Sequence, residues 1–418
     1  MRNINRNFKR GRTQGGGSQR SGSKFYRGQG GGGGQRRSRG GGGGRGRGTY
    51  IHPDRYINKA TVLDEQKPYQ SKHTFADFGF LPILDKACTR KGYTTPTAIQ
   101  DDAIPPILEG KDVIGLANTG SGKTAAFVLP IIQHIVATHT STKALVVAPT
   151  RELAVQIEEE FRAFSNGLRM NTALCVGGAS MGKQKAQLAR RPQVVIGTPG
   201  RLKDLTEQHI LKLGDVDVLV LDEVDRMLDM GFLHDVRFLI DKTNPNRQSL
   251  CFSATITPAI EKLLADMLKN PVTVSVRTSQ KQEHIEQEVI KVRSKEDKIT
   301  MLLKLLAQPQ FDKVLVFGGT KWGVQKLADA LNARGHTAQA IHGNKTQPQR
   351  QRALRAFKEG KVKVLVATDV AARGLDIPNV SQVVNFDEPM SHDDYIHRIG
   401  RTGRAGKAGH ALTFVVGG

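Results

Sequence analysis

A chain of 418 residues exceeds one ordinary core and points to two or three domains. It carries 62 Lys and Arg against 39 Asp and Glu, a formal charge of +23, which favours a polyanionic partner and is silent about fold. Three cysteines far apart, with no CxxC pair, lack the spacing of a cysteine zinc site and suit small core residues in a reducing cytoplasm. No apolar run approaches the ~20 residues of a membrane span, and the N-terminus lacks the apolar core of a secretory signal.

In chain order, residues 1–50 hold 13 Lys and Arg, no acid, and 18 of the 45 glycines, with "GQGGGGGQRRSRGGGGGRGRG" at their centre. Such a segment cannot bury a core, so residues 1–72 are expected to be a disordered basic tail and linker. It is either an RNA-binding segment of the Arg-Gly type, acting by charge, or a solubilising tail. From Phe75 the pattern changes to short β-branched runs alternating with helical stretches. Strands are predicted at "DVIGLA", "ALVVAPT", "QVVIGTPG", "VDVLVLDE", "SLCFSAT" and "VTVSV", with helices such as "TAAFVLPIIQHIVATH" and "RELAVQIEEEFRAFS" between them. The polar stretch "RTSQKQEH" interrupts, and a second series follows: "KVLVFGG", "TAQAIHG", "KVLVATD", "SQVVNFD" and "HALTFVV". This alternation predicts two tandem parallel-sheet α/β domains, at 73–277 and 285–418, joined by a linker at 278–284.

Two motifs carry chemistry without reference to any family. "ANTGSGKT", Ala117 to Thr124, follows a strand and opens a helix with the spacing of a phosphate-binding loop. Its glycines let backbone N–H groups converge on a phosphate, Lys123 can reach the outer phosphates, and the Thr124 hydroxyl can ligate Mg²⁺. "VLVLDEVD", Val218 to Asp225, runs four apolar residues into three carboxylates. Acids at the end of a buried strand need a cation, and in an open parallel sheet ligands sit at the carboxyl edge. Asp222 is therefore expected to face nucleotide-bound Mg²⁺, largely through water, and Glu223 to polarise the attacking water.

The ordered set of remaining motifs resembles the DEAD-box ATP-dependent RNA helicases from Phe75 to Val416. It comprises "GYTTPTAIQ" (92–100), "APTRELA" (148–154), "GG" (177–178), "TPGR" (198–201), "DEVD" (222–225) and "SAT" (253–255). In the second series come "HGNKTQPQR" (342–350), "TDVAARGLDIP" (368–378) and "HRIGRTGRAG" (397–406). "DRMLDMGF" and "IHGNK" look most like the bacterial RhlE-type branch. The family usually has Ala where this chain has Val224, an apolar exchange that suits a strand end and leaves the flanking acids intact. Its members also usually continue through a further helix after the strand that ends this chain.

The resemblance implies two RecA-like domains and an RNA-stimulated ATPase that locally unwinds or remodels short RNA duplexes, with ATP and Mg²⁺ required. A non-enzymatic RNA chaperone, an ATP-gated clamp with little unwinding and a translocating DNA helicase are the competing readings. It implies that Phe75, Tyr93, Thr95 and Gln100 read the base. Ala117, Asn118, Thr119, Gly120, Ser121, Gly122, Lys123 and Thr124 would hold the phosphates, with Gly374 and Asp376 completing the nucleotide site. Arg401 and Arg404 would act as arginine fingers, while Asp225, Ser253, Thr255 and His397 would couple hydrolysis to strand separation. RNA contacts would fall on Pro149, Thr150, Arg151, Gly178, Thr198, Gly200, Arg201, Gln347, Arg350, Thr368 and Gly374. Such contacts grip phosphates and 2′-OH groups, giving RNA preference with little sequence preference.

Overall fold

Strands buried on both faces require unbroken apolar runs, and such runs build two parallel sheets here. The computed structural model describes residues 69–418, apart from 119, 139–142, 277–284, 373–376, 378–379, 404–408 and 418. The basic tail, the interdomain linker, Thr119, Gly374, Asp376 and Arg404 therefore lie outside the described residues.

The first sheet contains β1 (Val113–Ala117), β2 (Ala144–Val147), β3 (Thr172–Cys175), β4 (Val194–Gly197), β5 (Val218–Asp222), β6 (Gln248–Ser253) and β7 (Val272–Val276). Their order across it is β3-β4-β2-β5-β6-β1-β7, every pairing parallel. The second sheet contains β8 (Ile285–Val292), β9 (Val314–Phe317), β10 (Ala338–Ile341), β11 (Val364–Ala367), β12 (Gln382–Asn385) and β13 (Gly409–Val416). Its order is β10-β11-β9-β12-β13-β8, again all parallel.

Helices α1 (Pro82–Arg90), α2 (Ala98–Leu108), α3 (Lys123–Thr138), α4 (Arg151–Phe164), α5 (Met181–Ala189), α6 (Pro199–Glu207), α7 (Val224–Asp229), α8 (Leu233–Lys242) and α9 (Pro258–Met267) belong to the first lobe. The second lobe has α10 (Lys295–Leu306), α11 (Lys321–Asn332), α12 (Gln347–Lys358), α13 (Asp369–Ala372) and α14 (His392–Ile399). They cover both faces of each sheet, and the strand period shows how. Along β5, Val218 and Val220 pack with Phe127 and Phe161, while Leu219 and Leu221 pack with Val224, Met227 and Leu239 on the other side. In β9, Val314 and Val316 likewise face one core, and Leu315 and Phe317 the other.

Two strands are absent from the sequence reading, and both are sheet edges. β3 alternates between half-buried and buried residues, and β8 carries Glu286, Glu288 and Lys291. Edge strands tolerate and use such charges, so their sequences lack the apolar run that betrays a central strand. A second difference concerns the segment read as linker. Its last residues are fastened to α2, because Asp101 accepts the Tyr69 hydroxyl at 2.6 Å and the Lys72 N–H at 2.7 Å. The His73 ring nitrogen Nδ1 is also 2.6 Å from Asp101. Burial alone would raise the Asp101 carboxyl; the bonds from Tyr69, Lys72 and His73 outweigh it and hold the group down at about 2.

Candidate active site

Strand order divides the carboxyl edge of the first sheet into two halves. β1, β6 and β5 end at the phosphate loop, the "SAT" segment and "DEVD"; β2, β4 and β3 end at Pro149–Arg151, Thr198–Arg201 and Gly177–Gly178. The nucleotide candidates thus share one half and the RNA candidates the other, with β5 and β2 adjacent at the boundary.

On the nucleotide half, Gly120 and Gly122 adopt left-handed φ values of 79° and 97°, conformations that side chains resist. Gly122 is required twice over, since a Cβ there would lie 2.6 Å from Gln100 Nε2 and 2.8 Å from Thr97 Oγ1. Gln100 also caps α2 by accepting the Thr97 N–H at 2.9 Å, and its amide donates to the Gly122 carbonyl at 3.2 Å. One side chain thereby ties "GYTTPTAIQ" to the phosphate loop. Tyr93 lines the loop's cleft, backed by Phe75 at 5.8 Å and Phe164 at 5.6 Å between ring centroids, while Thr95 is exposed.

The cleft, of about 290 Å³, is lined by Tyr93, Gly120, Gly122, Lys123, Thr124, Asp222 and Glu223 among others. A larger cavity of about 620 Å³ opens near Lys143, Arg191 and Leu213, at the amino ends of β2, β4 and β5, away from these groups. Buried Lys123 donates to the Ala117 carbonyl at 2.8 Å, which folds it back over its own loop. Burial pushes the Asp222 carboxyl up to about 7; the Lys123 charge opposes this and neighbouring Glu223 adds to it.

The donor set fits Mg²⁺. Asp222 Oδ1 and Ser121 Oγ are buried without a hydrogen-bond partner, and both are hard oxygen donors, as is the Thr124 hydroxyl. Among the described residues no cluster of three or more His, Cys, Asp or Glu could hold a metal alone. Magnesium suits such a site, because it takes one or two protein oxygens and completes its shell with phosphate and water.

"DEVD" departs from the expected extended strand end. The chain turns at Glu223, in the left-handed region with φ 54° and ψ 54°, and Val224 becomes the first residue of α7. A non-glycine residue in that region costs roughly 1–3 kcal/mol, and such strain clusters at functional positions. The turn buries Val224 completely in the core beneath β5 and frees Asp225 to reach β6. Asp225 Oδ2 accepts the Ala254 and Thr255 N–H groups, each at 3.1 Å, and the Thr255 hydroxyl at 3.3 Å. The Asp225 N–H donates to Ser253 Oγ at 3.3 Å. Asp225, Ser253 and Thr255, expected to act together, are therefore one hydrogen-bonded unit.

On the other half of the edge, Thr150 caps α4 by accepting the Leu153 N–H at 3.2 Å, which sets Pro149 and Arg151 at the sheet end. The Arg151 guanidinium lies against the glycine pair so closely that a Cβ at Gly178 would meet Nη1 at 2.3 Å. Thr198 precedes α6, whose first turn contains Gly200 and Arg201.

The second lobe contributes at its own carboxyl edge. Gln347 and Arg350 open α12 after β10, and Thr368 follows β11. Both amide atoms of Gln347 and Nδ1 of His342 are buried without partners, so this edge presents polar groups suited to a ligand. Arg350, expected on RNA, reaches the first lobe in this structure: its Nη2 donates to Glu152 Oε2 at 2.8 Å, with both side chains buried. Replacing Glu152 and Arg350 by Gln, singly and together, should reveal non-additive losses in the RNA dependence of activity, a coupling of roughly 0.5–3 kcal/mol. Additive effects would mean that the pair does not join the lobes functionally.

Arg401 and His397 line a small cleft with Phe317, Asp369 and Arg398, and Arg401 does not line the phosphate-loop cleft. The second-lobe residue in the lining of that cleft is Lys358. Sequence reasoning missed three ion pairs: Arg350–Glu152, Arg398 with Asp369 at 2.6 and 2.8 Å, and Arg226 with Glu223 at 2.7 Å. Each involves a residue inside or beside a quoted motif, which was the available signal.

The family model described as DEAD/DEAH box helicase matches residues 97–263, and that described as helicase conserved C-terminal domain matches 297–406. Over 342 residues the chain is 44% identical to the ATP-dependent RNA helicase CshA of Limosilactobacillus reuteri, covering 82% of this chain and 69% of that protein. It is 46% identical over 357 residues to the ATP-dependent RNA helicase DeaD of Mycobacterium tuberculosis, covering 85% of this chain and 63% of that one. Parts of both relatives thus extend beyond what it matches. Among solved structures, S. cerevisiae Dbp5 bound to RNA and ADP BeF3 superposes with a TM-score of 0.73 at 31% identity, covering 82% of this chain and 90% of that one. The two parallel-sheet lobes are accordingly RecA-like.

Proposed function

The chain belongs to the DEAD-box family of ATP-dependent RNA helicases, and on that premise we propose that it is an RNA-stimulated ATPase that locally separates short RNA duplexes. The observation that carries this is the divided sheet edge, where β5 borders the RNA half through β2 and its Asp225 is hydrogen-bonded to "SAT" at the end of β6 within the nucleotide half. In this reading Gln100, Thr95 and Tyr93 hold the adenine, with Phe75 as backing. The N–H groups from Ala117 to Gly122 and the Lys123 ammonium hold the phosphates.

Mg²⁺, when bound by Thr124 and Asp222, neutralises phosphate charge. Glu223 orients and deprotonates the attacking water, and Arg401 with Arg404 faces the developing charge once the lobes adjust. Half of each site lies on each lobe, so ATP and RNA favour the same closed arrangement and reinforce each other's binding.

The RhlE-type assignment stays a proposal resting on "DRMLDMGF" and "IHGNK"; the relatives above carry the names CshA and DeaD. The cytoplasm is proposed as its location on the three free buried cysteines; no described helix is long and apolar enough to cross a membrane. The basic tail is proposed to add salt-sensitive RNA affinity. The deciding experiment measures ATP turnover with no nucleic acid, with single-stranded RNA and with matched DNA. Stimulation by RNA alone is expected. Equal stimulation by DNA, or none by either, would remove the reading.

A further inference from the structure

The chain has a single tryptophan, Trp322, and it is 79% exposed. An indole is mostly apolar surface, and large aromatics usually gain stability by burial. This one stands on the first turn of α11, where no ring or cation contact engages it among the described residues.

Its surroundings are ordered. The Thr320 hydroxyl accepts the Gly323 N–H at 3.0 Å and fixes the start of the helix. Lys321 lies along Gly343, where a Cβ would come within 3.2 Å of its Cε. One turn on, Gln325 Oε1 is 3.1 Å from His342 Nε2. The first turn of α11 is therefore held against the "HGNK" loop that leads into Gln347 and Arg350. Strands β9, β10 and β11 are neighbours, so Trp322 shares one sheet edge with the unpartnered polar atoms of Gln347 and His342. Two exposed cations lie on the same helix, Lys321 next to it in sequence and Lys326 one helical turn away, and half-buried Lys345 belongs to the neighbouring "HGNK" loop. The first turn of α11 has no acid. Nearby Asp329 accepts from Gln325 at 2.8 Å and Asp387 from the Gly319 N–H at 2.8 Å.

We propose that Trp322 is a stacking platform for one unpaired RNA base, with Lys321, Lys326 and Lys345 taking the flanking phosphates. This rests on the RNA-dependent reading above. An aromatic face beside a line of cations is how single strands are held without regard to sequence. A protein partner is disfavoured, because a stable protein interface needs roughly 1,200 Å² or more of buried area, and here one indole stands among lysines. The position also has a consequence for mechanism: a base stacked at the second-lobe edge is withdrawn from its duplex.

Because Trp322 is the only indole, emission of the full chain excited beyond the tyrosine absorption band reports on this residue alone. Titration with single-stranded RNA, in the presence of a non-hydrolysable ATP analogue, should quench that emission along the same curve as RNA binding. Trp322→Ala should raise the KM for RNA by roughly 5- to 150-fold, the range of one base–aromatic stack. The loss should show in KM rather than kcat, Trp322→Phe should recover most of it, and the melting temperature serves as the folding control. Emission that ignores RNA while RNA still stimulates turnover would overturn the platform and leave the helicase reading standing. So would a KM for Trp322→Ala within twofold of the parent, or a loss confined to binding a protein. Absence of RNA stimulation in the parent would instead overturn the helicase reading itself.

Discussion

Replacing Glu223 by Gln is expected to lower RNA-stimulated ATP turnover by roughly 10²–10⁴-fold, the usual contribution of a positioned general base. ATP binding should survive, because the phosphates are held by the loop amides and Lys123, and the Mg²⁺-facing donors are Thr124 and Asp222. Packing is preserved too, because Gln keeps the shape and a hydrogen-bond acceptor toward Arg226. The electrostatics point the same way: Glu223 is one of the groups that push the Asp222 carboxyl up, so neutralising it makes Asp222 easier to ionise. ATP should therefore bind as well as before or better, and the stalled enzyme should retain RNA. Single-turnover hydrolysis alongside a nucleotide-binding titration separates the two effects. Turnover within about tenfold of the parent would remove Glu223 from the role of base.

The sequence makes visible whatever is local or central, and hides what depends on burial at a distance. β5 reads as a strand because Val218 to Leu221 are apolar without a break, and the structure buries all four. The phosphate loop reads equally well, since its glycines and the following Lys and Thr are fixed by the ligand's shape. β8 does not read as a strand because its outer side faces solvent. The turn at Glu223 was hidden for another reason: no glycine or asparagine advertises a left-handed residue there. Arg350 and Glu152 are 198 residues apart, so no spacing rule could pair them. Arg226 and Glu223 are three apart and could have been paired, but that spacing on a helix is ordinarily a solvated surface contact. Only burial changes its meaning.

That burial gives Arg226 its own expected effect. Its guanidinium and the Glu223 carboxylate are 4% and 5% exposed and 2.7 Å apart, in a stretch that also contains buried Asp222 and Asp225. Removing one member of such a pair leaves an uncompensated buried charge, typically about 3–5 kcal/mol of destabilisation. Here the cost is shared between stability and catalysis, because the carboxylate that loses Arg226 is the one assigned to the water. Without its cation Glu223 is harder to ionise, so the acid limb of kcat should move to higher pH in Arg226→Gln. Turnover should fall by roughly 10- to 100-fold, because a carboxylate that has lost its positioning arginine gives up part of the usual contribution of a general base. Arg226→Lys keeps the charge and should restore the acid limb, with a smaller recovery of rate because an ammonium lacks the fixed fork of a guanidinium. Adding Arg226→Gln to Glu223→Gln should change turnover little further, since both act through one carboxylate. A purely structural Arg226 would lower the melting temperature in all backgrounds and leave the pH profile of the folded enzyme where it was. Measuring kcat against pH for Arg226→Gln and Arg226→Lys therefore decides whether this arginine positions the catalytic carboxylate or only packs beneath it.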